Sequence, residues 1–136
     1  MRDDGRKFPH FRNFLNIMNK KEVLDIDVLK GYAATQEDVR FFADIFIRQT
    51  TGDLARLQES CAFDKHAEWG NICHKIRGAA AMAGAVHLHD LCDEGETMGP
   101  VDAAEKRAFF EQIAAAFEAV CRAFDAEAAP QGRTSG

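Results

Sequence analysis

Apolar side chains recur along this chain at the three-to-four-residue interval of an α-helix, and no segment sustains the two-residue alternation of a half-buried strand. Pro9 can open an N-terminal helix, because its fixed φ suits a first turn, and Phe11, Phe14, Leu15 and Met18 then share one face. A short helix is predicted over 26–33, with Asp25 as its cap and Val28, Leu29 and Tyr32 making apolar contacts. Over 37–60, Val39, Phe42, Ala43, Phe46, Leu54 and Leu57 form a stripe at about 100° per residue, which Phe41 and Ile45 widen. The pattern breaks at Phe63 and Asp64, and a further helix is predicted over 65–84. Val86, Leu88, Leu91 and Cys92 define a shorter helix ending near Gly99 and Pro100. Phe109, Phe110, Ile113, Phe117, Val120 and Phe124 line one face of a last helix over 103–128.

These elements predict an all-α fold, an antiparallel four-helix bundle with additional short N-terminal helices. The expected organisation is an amphipathic extension over 1–23, a bundle domain over 24–128 and a disordered polar tail over 129–136. The extension needs cover for its apolar face, from the bundle or from a second subunit; a monomer is the expectation. Phe41 and Ile45 are expected to lie beneath the N-terminal helix, with a partner-docking patch as the other reading.

Composition narrows the function classes. A chain of 136 residues with 46% hydrophobic and 29% charged residues suits one ordinary folded domain. The net charge of -5 disfavours binding to a nucleic-acid backbone, which requires cationic surface. The longest apolar run, 79–86, is far short of a membrane span, and the charged start, Met-Arg-Asp-Asp-Gly-Arg-Lys, leads into no secretory apolar segment. A cytoplasmic protein with no membrane contact is expected. Cys61, Cys73, Cys92 and Cys121 form no CxxC pair and are expected as reduced, buried thiols.

His74 is the candidate for chemistry. With Trp69 at the origin of a helical wheel, Ile72, Cys73, Ile76, Ala80 and Ala83 fall within about 60° of it and form the predicted buried arc. Gly70, His74, Gly78 and Ala81 fall between about 100° and 180°, which places the imidazole on the solvent side among small residues. Glycine within a helix costs roughly 1 kcal/mol relative to alanine, and close approach of another macromolecule is one compensation. Arg77 projects from the adjacent turn on the His74 side, and Lys75 adds charge farther round. An imidazole with a pKa near 6.5 is substantially neutral at cellular pH and offers a ring nitrogen as nucleophile. Wheel geometry does not by itself separate this reading from an ordinary surface histidine with a basic neighbour.

The run Cys73-His74-Lys75-Ile76-Arg77-Gly78-Ala79-Ala80-Ala81-Met82-Ala83-Gly84-Ala85 resembles the signature of the histidine-containing phosphotransfer (HPt) domain family of two-component phosphorelays. That signature runs His, any residue, Leu, Lys, Gly, small residues and a closing Gly-Ala. Leu88, Leu91, Cys92 and Glu96 resemble the pattern that follows it, and residues 25–29 resemble the family's opening helix. The likeness covers roughly 24–124. Arg77 stands where lysine is usual and Ala79 where serine is frequent, and the common Gly-Asp before the second helix is absent. Arginine keeps the charge with a different geometry.

The resemblance implies a phosphoryl carrier, without autonomous ATP-dependent kinase activity, that exchanges its group with receiver aspartates. His74 would be the phosphoacceptor, Arg77 the phosphoryl-stabilising cation, Gly78 the clearance for the receiver, and Lys75 a weaker electrostatic contributor. The implied partners are response-regulator receivers and a hybrid sensor kinase. No cofactor is expected on this chain, with magnesium (Mg2+) expected on the partner receiver.

Other readings have less support. His87, His89, Cys92 and Asp93 supply ligand types for a metal, but alternating histidines on a helix point in different directions. Cys73 diverges by about 100° from His74 and belongs to the buried arc, which disfavours thiol catalysis. The phosphoacceptor domain of a histidine kinase would be joined to a glycine-rich ATP-binding domain, whose motifs this chain lacks. The remaining alternative is a helical docking module for a receiver or kinase that takes no phosphate.

Overall fold

A computed structural model of the protein describes residues 20–31 and 33–128. Two short helices, α1 (Lys20–Val23) and α2 (Ile26–Lys30), precede α3 (Gln36–Glu59). A 3₁₀ turn at Phe63–Lys65 leads into α4 (His66–Ala83), followed by α5 (Val86–Thr97) and α6 (Ala103–Ala128). Among the described residues there is no strand. Helix α4 packs between α3 and α5, and α6 packs on α5 and α3, which closes a four-helix ring. Short connections between successive long helices reverse the chain each time, giving the expected antiparallel bundle. Helix α1 lies on α5 and α6, and α2 lies on α4.

Local sequence sets several of the helix ends. Thr35 and Asp38 form a reciprocal capping box at α3: Asp38 N–H donates to Thr35 Oγ1 at 3.0 Å and Thr35 N–H to Asp38 Oδ2 at 3.3 Å. Asp25 caps α2 as expected, accepting from Asp27 N–H at 3.2 Å. Asp102 accepts from Glu105 N–H at 2.8 Å in the first turn of α6. Helix α4 stops at Gly84, whose φ of 80° lies in the left-handed region, and Ala85 N–H donates back to Ala80 C=O at 2.9 Å.

That stop also anchors the N-terminal helices. Asp25 N–H donates to Gly84 C=O at 2.7 Å, and a Cβ at Gly84 would lie 2.4 Å from Asp25 C=O. The backbone conformation and this close approach both require glycine.

The core is continuous through the ring. Val39, Ala43, Phe46, Leu54 and Leu57 of α3 meet Trp69, Cys73, Ile76, Ala80 and Ala83 of α4 and Leu88, Leu91 and Cys92 of α5. Phe110, Ile113, Phe117, Val120 and Phe124 complete it from α6. Phe46 makes ring contacts with Phe117 and Phe124, each at 6.0 Å between centroids. Phe42, Ile72 and Phe109 are only partly buried.

Two expectations about buried positions need correction. Phe41 is 68% exposed: it lies about 200° round the helix from Val39 and Ala43, so the face that seats those residues turns Phe41 outward. Ile45, on the same side, is partly buried. Val28, as expected, makes apolar contact, beside Ala80, Gly84 and Ala85, while remaining 41% exposed, and the short α2 seats Leu29 fully on the bundle. Cys121 sits at the margin of α6 and is partly buried, whereas Cys61, Cys73 and Cys92 are fully enclosed. The expected N-terminal helix with Phe11, Phe14, Leu15 and Met18, together with Tyr32 and the polar tail, lies outside the described residues.

Two predictions follow from these contacts. Gly84→Ala should lower unfolding free energy by at least about 2 kcal/mol in urea melts, because the left-handed conformation and the clash with Asp25 add. Burial pushes the Cys73 thiol up to about 12 and raises Cys92 as well, with the Glu96 charge adding to both. The native state therefore holds these protons more tightly than the unfolded chain. Their contribution is intact below a thiol's ordinary value of 9.0 and declines as pH rises above it. Urea melts should show stability falling at up to about 1.4 kcal/mol per pH unit for each thiol, with a flatter profile in Cys73→Ala/Cys92→Ala.

Candidate functional site

The rotational setting of α4 is fixed by what it buries. Trp69, Cys73, Ile76, Ala80 and Ala83 have no exposed surface, as predicted for the arc, whereas Ile72, at the edge of that arc, is only partly buried. Trp69 Nε1–H donates to Gly95 C=O on α5 at 3.0 Å, and its ring meets Phe109 edge-on at 6.5 Å between centroids. Buried Lys106 of α6 places its ammonium 6.0 Å from the Trp69 ring centre and donates to Ala62 C=O at 3.2 Å. A Cβ at Gly95 would lie 3.0 Å from Cys73 Sγ and 3.1 Å from Phe109 Cε2, so glycine allows α5 to lie close against α4. This close packing brings Asp93 and Glu96 beside the outward face of α4.

On that face the His74 side chain is 63% exposed. Its Nδ1 lies 2.8 Å from Glu96 Oε2 and 3.2 Å from Arg77 Nη2. Arg77 Nη1–H donates to Asp93 Oδ1 at 3.3 Å. Arg77 Nε lies 3.1 Å from Glu96 Oε1, a close charge pair in which neither atom makes an aligned hydrogen bond. Among the described residues, every polar contact of the imidazole runs through Nδ1. An ionised carboxylate only accepts, so in a neutral ring the Glu96 contact goes with a proton on Nδ1 and the lone pair on Nε2, whereas the Arg77 contact goes with the reverse.

The residues predicted around His74 separate into two groups. Arg77 joins the imidazole as the sequence led us to expect. Lys75 turns to the other side, where its Nζ lies 3.4 Å from Asp53 Oδ1, and Arg56 pairs with the same carboxylate. Asp53 is nearly enclosed, at 5% side-chain exposure, so these two cations compensate a buried charge at the α3–α4 seam.

The two glycines also divide. A Cβ at Gly78 would meet nothing within 4 Å, leaving open space beside His74. At Gly70 it would make ordinary contact with Glu96 C=O at 3.9 Å, so Gly70 faces α5 and not open solvent as expected.

The metal candidates are engaged elsewhere. His89 Nδ1 lies 3.0 Å from Asp90 Oδ1, Asp93 is with Arg77, and Cys92 is buried. Among the described residues no cluster of three or more ligating side chains is present. Sequence reading missed Asp93 and Asp53 as partners of Arg77 and Lys75, and it placed Glu96 only within a pattern. Asp93 and Glu96 are three apart on one helix face, which was a readable signal, but their pairing with α4 depends on helix packing.

The sequence model of the Hpt domain family matches residues 42–127, more than half of the chain, and the chain belongs to that family. Comparisons with curated proteins and with solved structures found no match. Membership makes the chain a phosphotransfer module of two-component signalling; Hpt domains are phosphocarriers rather than kinases, and they act with receiver or kinase partners. Among the described residues no helix is long and apolar enough to cross a membrane.

The Trp69 bond ties α4 to the helix that carries Glu96. Trp69→Phe should cost about 1–3 kcal/mol in chemical denaturation, because it leaves the buried Gly95 carbonyl unpaired.

Proposed function

We propose that the chain accepts a phosphoryl group on His74 from one receiver aspartate and donates it to another within a two-component phosphorelay. The observation that carries this reading is the setting of His74 inside the family-like run: a largely exposed ring whose polar contacts all engage Nδ1, with Glu96 at 2.8 Å. Nε2 is then the nucleophile.

In the forward step the Nε2 lone pair forms the P–N bond while the P–O bond of the aspartyl phosphate breaks, its electron pair returning to the receiver carboxylate. No proton has to move. The ring keeps its Nδ1 proton and becomes cationic as the bond forms, and the Glu96 carboxylate compensates that charge at Nδ1. Return to a second receiver is the same step reversed.

Arg77 is assigned to the charge spread over the transferred oxygens, through a guanidinium already beside the ring. Gly78 is assigned to clearance, because the space beside it is open to an approaching receiver. Lys75 is assigned only a peripheral field, since Asp53 holds it on the far side. Charge neutralisation at the receiver's own carboxylates belongs to Mg2+ on that partner, and no residue of this chain is assigned to hold it. A hybrid sensor kinase carrying a receiver would serve as donor by the same step.

Incubation with a phosphorylated receiver and Mg2+ should label the wild-type protein with an acid-labile, alkali-stable phosphoryl group, and His74→Gln should remain unlabelled. Absence of label across a broad receiver panel, with receiver binding retained, would replace the carrier reading with that of a docking module.

A further inference from the structure

Two groups of opposite hydrogen-bonding character converge on one nitrogen. Glu96 Oε2, 2.8 Å from His74 Nδ1, accepts when ionised; Arg77 Nη2, 3.2 Å from the same atom, only donates. A neutral imidazole satisfies one of them at a time. With the proton on Nδ1 it donates to Glu96 and Nε2 carries the lone pair. With the proton on Nε2, Nδ1 accepts from Arg77 and the outward nitrogen has no lone pair to attack with.

What restrains Arg77 therefore bears on which nitrogen reacts. Its Nε makes no aligned hydrogen bond with Glu96 Oε1 despite their 3.1 Å separation. Besides Nη2 toward the ring, its aligned contact is Nη1–H to Asp93 Oδ1 at 3.3 Å. Asp93 stands one helical turn before Glu96 on α5, so it draws the guanidinium along the helix surface while Glu96 faces the ring.

We infer that Asp93 is a positioning residue for the phosphoacceptor: by holding Arg77 through Nη1 it keeps the guanidinium from closing beyond its 3.2 Å approach to His74 Nδ1, so that the nearer Glu96, at 2.8 Å, accepts the Nδ1 proton and Nε2 stays unprotonated. The inference rests on the reading of His74 as carrier and adds to it a residue that touches neither the ring nor the phosphoryl group. Without Asp93, Arg77 can move in two ways: it can tighten its existing approach to Nδ1, or it can pair more fully with Glu96 and draw that carboxylate from the ring. Both shift the ring toward the Nε2–H form. Without Arg77 as well, neither option exists.

The test reads the tautomer directly, from nitrogen-15 shifts and long-range proton couplings of the His74 ring in labelled full-length protein, at a pH where those shifts show the ring to be neutral. Wild type should be mainly Nδ1–H. Asp93→Ala should raise the Nε2–H fraction by roughly twofold to tenfold, the factor one net hydrogen bond represents. Asp93→Ala/Arg77→Ala should return it to the wild-type value or below. A wild type that is mainly Nε2–H, an Asp93→Ala fraction equal to wild type, or a shift that persists in the double variant would each overturn the inference. No phosphoryl donor enters this measurement. His74 labelled by a receiver but with a tautomer indifferent to Asp93 overturns the positioning role alone. The expected tautomer pattern in a protein that no receiver labels supports the positioning role and overturns the carrier reading.

Discussion

Burial of one arc of α4 is the constraint on which the rest of the site depends. Trp69, Cys73, Ile76, Ala80 and Ala83 must all leave water together, and a helix can present them to α3 and α5 in only one rotational setting. That setting turns His74 outward. Rotation by a single residue, about 100°, would carry the imidazole toward the seam and expose indole in its place. The Trp69 bond to Gly95 and the close passage of Gly95 past Cys73 then fix α5 against α4. An apolar requirement thus positions a polar site on the opposite side of the same helix.

The polar side is organised by charge pairing. Arg77 lies among His74, Asp93 and Glu96, and Lys75, only two residues earlier, is drawn to a nearly buried carboxylate on α3. Two cations close in sequence thereby have different surroundings, and only one of them stands at the imidazole. The presence of arginine at position 77 matters for this arrangement, because a guanidinium has separate N–H groups with which to meet several partners, whereas an ammonium is a compact point charge. The phosphoryl carrier reading draws on both sides of α4: the buried arc for presentation, and the pairing around Arg77 for the state of the ring.

Much of the fold was legible because it depends on spacing. The stripes over 37–60, 65–84 and 103–128 led to α3, α4 and α6 with ends within a residue or two, the left-handed backbone at Gly84 ending α4 one residue sooner than the pattern. The misplaced residues were those whose environment depends on neighbours outside their own helix. Phe41 is as apolar as Phe46 but lies on another side of α3, and the packing of α6 on the Phe46 side leaves Phe41 uncovered. Gly70 and Gly78 look equivalent on a wheel until α5 is laid beside one of them.

By itself the sequence determined that the chain is helical, which arc of α4 is buried, that His74 and Arg77 share a side of that helix, and that the run around them resembles a phosphotransfer signature. These follow from a 3.6-residue period and from residue identity, both local quantities. Only the tertiary structure decided that Glu96 reaches Nδ1, that Asp93 holds Arg77, and that Asp53 takes Lys75 away from the site. Each of those contacts joins two helices, and its geometry is set by how closely and at what height the helices pack. No property of either helix alone contains that information.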